Sequence, residues 1–183
     1  MKRRTYRTEG IILKRVNFGE ADRILTVLTK HQGKIHCLAK GVRKLTSRKA
    51  ASLELFNLAV IFLAKGKSLD IVTEAKIIKS FPVVRQSLGK IAAGYQVCEV
   101  VDKLTPLEQK DEEVYFLLTK ALEEIDQHRF TPRRLLRFKI ELLGLTGFGA
   151  PQKSSLAVDQ YIEEIIEKKI NSNSLLKKII EER

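Results

Sequence analysis

Five basic side chains lie within ten consecutive positions in the first half of the chain: Lys40, Arg43, Lys44, Arg48 and Lys49. The sequence has no acidic residue between Asp22 and Glu54, so this stretch carries no local counter-charge. Phosphates are the natural partners of such a stretch, because lysine binds them as a point charge and arginine donates bidentate hydrogen bonds to them. The pattern predicts a loop that contacts a polyanion. The alternative is a solvated loop without a ligand.

Three more basic residues precede this cluster and complete the predicted set of nucleic-acid contacts: Arg15, Arg23 and Lys34. The whole net charge of +12 lies in residues 1–80, which hold 18 basic and 6 acidic residues, whereas residues 81–183 hold 16 of each. Such an excess concentrates a polyanion near the surface and speeds its capture. We therefore expect residues 1–80 to bind nucleic acid. A basic surface that serves only solubility is the alternative.

A second group of arginines points to a different ligand: Arg133, Arg134 and Arg137. They follow Thr131-Pro132, which reads as a helix N-cap with proline at the first helical position. Arg133 and Arg137 lie one turn apart beside an apolar stripe, an arrangement that suits an acidic peptide with an apolar end. The alternative is that these arginines are solvated or pair with Glu124 or Asp126.

Catalytic and metal-binding patterns are missing from the sequence. Gly66-Lys67-Ser68 ends like a phosphate-binding P-loop, but that motif needs a glycine where Ile61 stands. The three histidines have no Asp or Cys partner at ligand spacing, and Glu20 with Asp22 is too small an acidic group for the magnesium site of a nuclease. We therefore predict a protein that is not an enzyme and that binds no cofactor and no metal.

Composition restricts the class of protein further. A chain of 183 residues with 44% hydrophobic and 31% charged residues can pack one or two domains and is not disordered throughout. Its longest apolar run, Leu58 to Ala64, is far shorter than the roughly 20 residues that cross a bilayer. Polar residues follow Lys2-Arg3-Arg4 where a signal peptide would be apolar, and the two distant cysteines favour buried thiols. We expect a cytoplasmic protein.

The basic half reads as five short strands, predicted over residues 10–16, 23–29, 35–39, 53–63 and 69–78. Lys65-Gly66-Lys67 joins the last two strands as a hairpin turn, in which Gly66 is free to take a positive φ. Five strands in a small basic unit fit the OB-fold, a Greek-key barrel that binds oligonucleotides. An SH3-like barrel is the alternative. Phe56 and Phe62 are expected in the barrel core, and Tyr6 and Phe18 are candidate base-stacking side chains.

Beyond Pro82 the apolar period changes from two to about 3.6 residues, which indicates helices. They are predicted over residues 88–101, 111–127, 132–144, 156–170 and 174–182, with a loop at residues 150–155. The predicted fold is α+β: an N-terminal five-stranded OB-fold barrel in residues 1–80, followed by an all-helical, partner-binding domain in residues 81–183.

Several short motifs run in order along the chain: EGIIL at residues 9–13, GEADR at 19–23, TKHQGK at 29–34 and AKGVR at 39–43. LDIVTE at residues 69–74 and AGY at 93–95 continue the series. Together they resemble the RecO family of DNA repair proteins over roughly residues 5–149. The resemblance implies an OB-fold followed by a helical domain, binding of single- and double-stranded DNA, strand annealing, and assistance to RecA loading together with RecR. It implies no catalytic turnover.

The resemblance also bears on zinc and on partners. Many RecO proteins carry a four-cysteine zinc module after the segment that corresponds to residues 144–151, but here no cysteine follows Cys98. Zinc is therefore not predicted, and the chain looks like a shortened member. Relatives bind the acidic, phenylalanine-ended tail of single-strand-binding protein through the helical domain, which makes the three arginines near residue 135 the candidate contact.

The combined interpretation is a DNA-binding and strand-annealing factor of recombinational repair, located in the cytoplasm at the nucleoid. Its eight predicted DNA contacts are Arg15, Arg23, Lys34, Lys40, Arg43, Lys44, Arg48 and Lys49. The alternative from another class is an adaptor whose barrel binds structured RNA while the helical half docks protein partners. Competition between single-stranded DNA and RNA of equal length separates the two.

Overall fold

A computed structural model describes residues 4–149 and 155–172. The chain divides into two compact units. The first contains the residues up to Ser80 together with Pro106–Glu112, and the second contains Phe81–Thr105 and the residues from Glu113 onward. The segment Pro106–Glu112, which follows the helix Leu88–Leu104 in the sequence, therefore belongs to the first unit. The periodicity of apolar residues in the sequence does not indicate this.

The first unit is a closed barrel of five strands: β1 (Thr5–Phe18), β2 (Asp22–Thr29), β3 (Gly33–Ala39), β4 (Leu58–Ala64) and β5 (Asp70–Lys79). Their order around the barrel is β1-β2-β3-β5-β4. The β3–β5 pair is parallel and the other neighbours are antiparallel. This ring is compatible with an OB-fold, and the predicted α+β class with an N-terminal five-stranded unit is confirmed.

The barrel core follows the alternation of the strands, because successive side chains of a strand point to opposite faces. In β3, Cys37 is fully buried and its neighbour His36 is exposed. Phe56 is buried as predicted, at 3% exposure. The prediction for Phe62 is wrong: it alternates with the core residues Ile61 and Leu63, and so lies half-buried on the outer face of β4.

The predicted start of the fourth strand is also wrong. Strand β4 begins at Leu58, and Ala51–Leu53 forms a short 3₁₀ turn before it. Leu53 is nonetheless fully buried in the core, which explains why the apolar pattern extended that far. The chain then turns sharply at Phe56, whose φ is 71°, and the Phe56 N–H donates to the Ile12 carbonyl over 3.0 Å. Residues 54–57 therefore join the 3₁₀ turn to the strand, and the left-handed residue among them makes the sharp turn.

The β4–β5 hairpin needs a glycine at position 66 because the backbone approaches closely there; Gly66 does not use its freedom to take a positive φ. A Cβ at this position would lie 2.0 Å from the Leu69 carbonyl oxygen. Asp70 closes the hairpin by accepting hydrogen bonds from Tyr6, Lys65 and the Gly66 N–H. Burial favours a raised pKa for the Asp70 carboxyl, but these hydrogen bonds outweigh it and hold the pKa below its ordinary value.

The segment Pro106–Glu112 packs on the start of β3. Leu107 forms an isolated parallel β-bridge with Lys34, and the Glu108 N–H donates to the Lys34 carbonyl over 2.8 Å. Gly33 has a φ of +69°, and a Cβ there would lie 2.0 Å from the Gln109 carbonyl oxygen. Only glycine allows this close approach.

Replacing Gly33 with alanine should therefore destabilise the protein more than the same change at Gly19. Both glycines have a positive φ, but a Cβ at Gly19 would meet nothing within 4 Å. Gly19→Ala should cost about 1 kcal/mol for the backbone conformation alone, whereas Gly33→Ala should cost about 3 kcal/mol because the clash adds to it. Urea unfolding of the two variants measures the difference. Equal costs would contradict the packing of Pro106–Glu112 on β3.

The second unit contains four described helices: α1 (Leu88–Leu104), α2 (Glu112–Asp126), which begins at the last residue of the first unit, α3 (Pro132–Leu145) and α4 (Ser155–Ile165). Thr131 caps α3 as predicted, accepting a hydrogen bond from the Arg134 N–H, with Pro132 in the first turn. Within the described ranges, no helix has the length and apolar character to cross a membrane.

Helix α4 ends five residues earlier than predicted. Glu167 has a φ of 51°, and the Lys168 N–H donates to the Glu163 carbonyl over 3.2 Å. A left-handed residue with such a backward hydrogen bond is a common helix terminator. Ile170 is still buried, at 3% exposure, although it lies beyond the helix. The apolar pattern after Ile165 therefore reflects burial of side chains and not a continued helix. The helix predicted over residues 174–182 and most of the loop predicted over 150–155 lie outside the described residues.

Candidate nucleic-acid interface

Residues 40–49, which we call the basic loop, follow β3 and are fastened to the barrel at both ends. The Gly41 N–H donates to the Asp22 carboxylate over 2.7 Å, and the Arg43 N–H donates to the Ala21 carbonyl over 2.9 Å. At the far end, the Lys49 Nζ donates to the Val72 carbonyl over 2.7 Å. The loop is therefore held in one position against the β1–β2 turn and β5.

Four cationic side chains of the basic loop are exposed: Lys40, Arg43, Lys44 and Arg48. None of the four forms an ion pair with a carboxylate of the described residues. Arg43 also donates a side-chain hydrogen bond to the Gly19 carbonyl over 3.3 Å. These four groups can meet phosphate oxygens without first breaking a salt bridge, which favours phosphate binding.

Lys49 differs from its neighbours in the loop. Its Nζ is held by the Val72 carbonyl, and burial lowers its pKa, although the charge of Asp22 partly opposes this. A lysine in this position fastens the loop to β5. The structure therefore places Lys49 as an anchor beside the exposed cations.

Arg15 and Arg23 lie together, but both contact a carboxylate. Each guanidinium pairs with Glu54, and their side chains are only 20% and 23% exposed. A phosphate at this position would have to compete with Glu54. The two acids that bracket the basic stretch are thus both engaged, Asp22 by the Gly41 N–H of the basic loop and Glu54 by the two arginines of the barrel. Neither forms an ion pair with the exposed cations of the basic loop.

Lys34 lies apart from the other predicted contacts. It is buried at 7% exposure, where Leu107 and Glu108 pair with its backbone. Its position in the sequence gives no signal of this burial, because the covering segment comes from beyond the strands.

The two candidate stacking side chains have different surroundings. Tyr6 donates its hydroxyl hydrogen bond to Asp70 over 2.5 Å, and the Lys65 Nζ lies 4.7 Å from the centre of its ring. Burial and the neighbouring Asp70 raise the pKa of the Tyr6 hydroxyl. Phe18, at the end of β1, is 53% exposed. Phe18 therefore presents an open ring, whereas a lysine already covers Tyr6.

In the helical unit, Arg134 and Arg137 line a groove of about 300 Å³ between α2 and α3. Its apolar lining consists of Leu117, Ala121, Phe130 and Phe138. Arg134 pairs with Glu124 over 2.9 Å, which is the pairing that the sequence left open. Arg133 is exposed but does not line the groove.

The cysteines and acids that the structure describes are not arranged as a metal centre. No group of three or more His, Cys, Asp or Glu side chains is arranged to hold an ion within residues 4–149 and 155–172. Both cysteines are buried free thiols, and burial raises the pKa of Cys37 to about 12. The absence of bound zinc stays a prediction.

Comparison with known proteins identifies the family. The family described as Recombination protein O N terminal matches residues 1–81, and Recombination protein O C terminal matches residues 85–164. A DNA repair protein RecO of Symbiobacterium thermophilum is 36% identical over 144 residues, which are 78% of this chain and 57% of the relative. Another, of Dehalococcoides mccartyi, is 38% identical over 143 residues, 78% of this chain and 56% of the relative.

A third relative, the DNA repair protein RecO of Trichodesmium erythraeum, is 39% identical over 130 residues, 71% of this chain and 45% of its own length. The chain thus spans about half the length of the curated relatives it matches. Two consecutive family matches and this identity over most of the chain agree with the motif series, the five-stranded barrel and the helices that follow it. The chain belongs to the Recombination protein O family.

Proposed function

We propose that this chain is a non-enzymatic DNA-binding and strand-annealing factor of recombinational DNA repair. The observation that carries the proposal is the basic loop: four exposed cations without a carboxylate partner among the described residues, held by hydrogen bonds on a five-stranded barrel. The names of the relatives, DNA repair protein RecO, support the same role.

The mechanism is electrostatic. Two complementary strands repel each other, and cations that neutralise phosphates on both strands lower the free energy of their encounter. Phosphate contacts carry no sequence information, so base pairing between the strands supplies the specificity. The chain itself then binds all DNA sequences with similar affinity.

Annealing of complementary oligonucleotides, with one strand carrying a fluorophore and the other a quencher, tests this function. The full chain should accelerate annealing at low salt, and the acceleration should fade as salt rises, because released counterions drive the phosphate contacts. An unchanged annealing rate at saturating protein would contradict the proposal. Repeating the assay on strands coated with single-strand-binding protein, with and without RecR and RecA, tests the proposed role in RecA loading.

The helical unit is proposed to bind the tail of single-strand-binding protein. The groove between α2 and α3 has an apolar lining and three cations, Lys120, Arg134 and Arg137, against two acids, Glu124 and Glu141. Because Glu124 pairs with Arg134, we take Arg137 as the main contact for an acidic peptide that ends in phenylalanine. Charge-assisted hydrogen bonds of this kind contribute about 1.5–3 kcal/mol each.

Arg137→Glu should therefore weaken binding of the tail peptide about tenfold or more, since it replaces an attractive charge at the groove by a repulsive one. Arg133→Glu makes the same charge change outside the groove and is the matched control. Fluorescence anisotropy with a labelled peptide measures both. Equal losses for the two variants would move the peptide site away from the groove.

A further inference from the structure

Leu45 is the most exposed large apolar side chain of the described residues, at 107% relative exposure. A single exposed leucine is ordinary on a protein surface. The setting of Leu45 is not ordinary, because it stands in the basic loop next to Lys44, and Arg43 and Arg48 are exposed on either side. A polyanion drawn to these charges meets an apolar side chain among them.

The backbone holds Leu45 at the tip of the loop. The Lys44 N–H donates to the Gly41 carbonyl over 3.1 Å, and the Ser47 N–H donates to the Lys44 carbonyl over 3.0 Å. The second of these hydrogen bonds closes a tight turn in which Leu45 and Thr46 are the two central residues. A hydrogen-bonded turn therefore holds the Leu45 side chain in an exposed position.

A second exposed apolar side chain lies at the end of β1, directly before the turn to which the basic loop is fastened. Phe18 is 53% exposed and precedes Gly19 at the β1–β2 turn. Arg43 connects the two loops, since its backbone N–H donates to Ala21 and its guanidinium donates to Gly19. Leu45 thus lies two residues after Arg43, and Phe18 directly precedes the glycine whose carbonyl accepts the Arg43 side-chain hydrogen bond.

We propose that Leu45 and Phe18 contact unstacked DNA bases while the cations of the basic loop hold the neighbouring phosphates. This proposal rests on the proposed DNA-binding function. Apolar side chains make no favourable contact with a charged phosphate. A phenyl ring can instead stack on a base, and a leucine side chain can insert between adjacent bases. The pair would favour single strands and frayed duplex ends, where the faces of the bases are open.

The test compares two single strands of equal length, one of deoxythymidine and one of abasic sugar–phosphate units. Both carry the same phosphates, so a protein that contacts phosphates alone binds them equally. The wild-type chain should bind the base-containing strand about tenfold more tightly, the size expected from stacking on one or two bases. The double variant Leu45→Ser with Phe18→Ser should lose this preference and keep both the affinity for the abasic strand and the salt slope.

Leu88→Ser is the matched control, because Leu88 is also exposed, at 62%, but lies on α1 of the helical unit. It should keep the preference. Leu45→Ser alone replaces a fully exposed side chain, so the variant should fold like the wild-type chain, and it should lose part of the preference.

Equal binding of the two strands by the wild-type chain overturns the inference and leaves the proposed function standing. Loss of binding to both strands by the double variant also overturns it, whereas a wild-type chain that binds neither strand refutes the proposed function.

Discussion

Removing three cations of the basic loop should weaken DNA binding by about 100-fold at 0.1 M salt and reduce the slope of log affinity against log salt by about 2. The variant is Lys40→Ala, Lys44→Ala and Arg48→Ala together. Each phosphate contact on a single strand contributes roughly 0.7 to this slope through counterion release. Arg43 is left in place because it also binds the β1–β2 turn, so its loss would disturb the loop itself.

A matched variant separates a local contact from a change in net charge. Lys103, Arg129 and Lys168 are exposed in the helical unit, and their replacement by alanine removes the same three charges. This control should keep nearly the full salt slope. Fluorescence anisotropy across a salt series measures both variants, and thermal melts show whether they are folded. An unchanged slope in a folded basic-loop variant would move the DNA surface elsewhere, to Arg4 and Arg7 or to Lys2 and Arg3, which lie outside the described residues.

Asp159→Asn should destabilise the helical unit by about 3–5 kcal/mol, because it leaves a buried charge without its partner. Lys139 on α3 is only 2% exposed, and its Nζ lies 2.5 Å from the Asp159 carboxylate on α4. Burial lowers the pKa of Lys139, and Asp159 partly restores it. Urea unfolding measures the loss of stability.

The exposed pair between Arg134 and Glu124 is the matched control for this prediction. Its side chains are 45% and 23% exposed, so Glu124→Gln should cost less than about 1 kcal/mol. A second check is Lys139→Met combined with Asp159→Leu, which removes both charges and should recover most of the stability. Equal costs for Asp159→Asn and Glu124→Gln would show that the Lys139 pair is not buried in solution.

The stability of the Asp159→Asn variant should also depend on pH more steeply than that of the wild-type chain. Without Asp159, burial lowers the pKa of Lys139 further in the folded state, while the unfolded chain keeps the ordinary value of about 10.4. Between these two values the unfolded chain binds more protons, so the free energy of unfolding rises with pH. The deficit of the variant relative to wild type should therefore shrink as pH rises towards about 10. Unfolding curves at pH 7 and 9.5 test this trend.

Local patterns in the sequence were sufficient to predict most of the secondary structure. Strand alternation around residues 35–39, the turn residues after Phe18 and the cap at Thr131-Pro132 each depend on neighbours within a few positions. The charge asymmetry is likewise a property of the sequence, and the exposure of Lys40, Lys44 and Arg48 agrees with the absence of local acids. These features need no knowledge of distant contacts.

Tertiary structure decided which predicted cations are open to a ligand. Arg15 and Arg23 meet Glu54 only because the barrel closes, and Lys34 is buried because Pro106–Glu112 returns to cover β3. The partners in each case lie far apart in sequence, and composition and periodicity report only what is close along the chain. Leu45 likewise reads as an ordinary apolar residue in the sequence. Local hydrogen bonds close its turn, but the loop that carries it is fixed by hydrogen bonds from Gly41 and Arg43 to residues about 20 positions earlier.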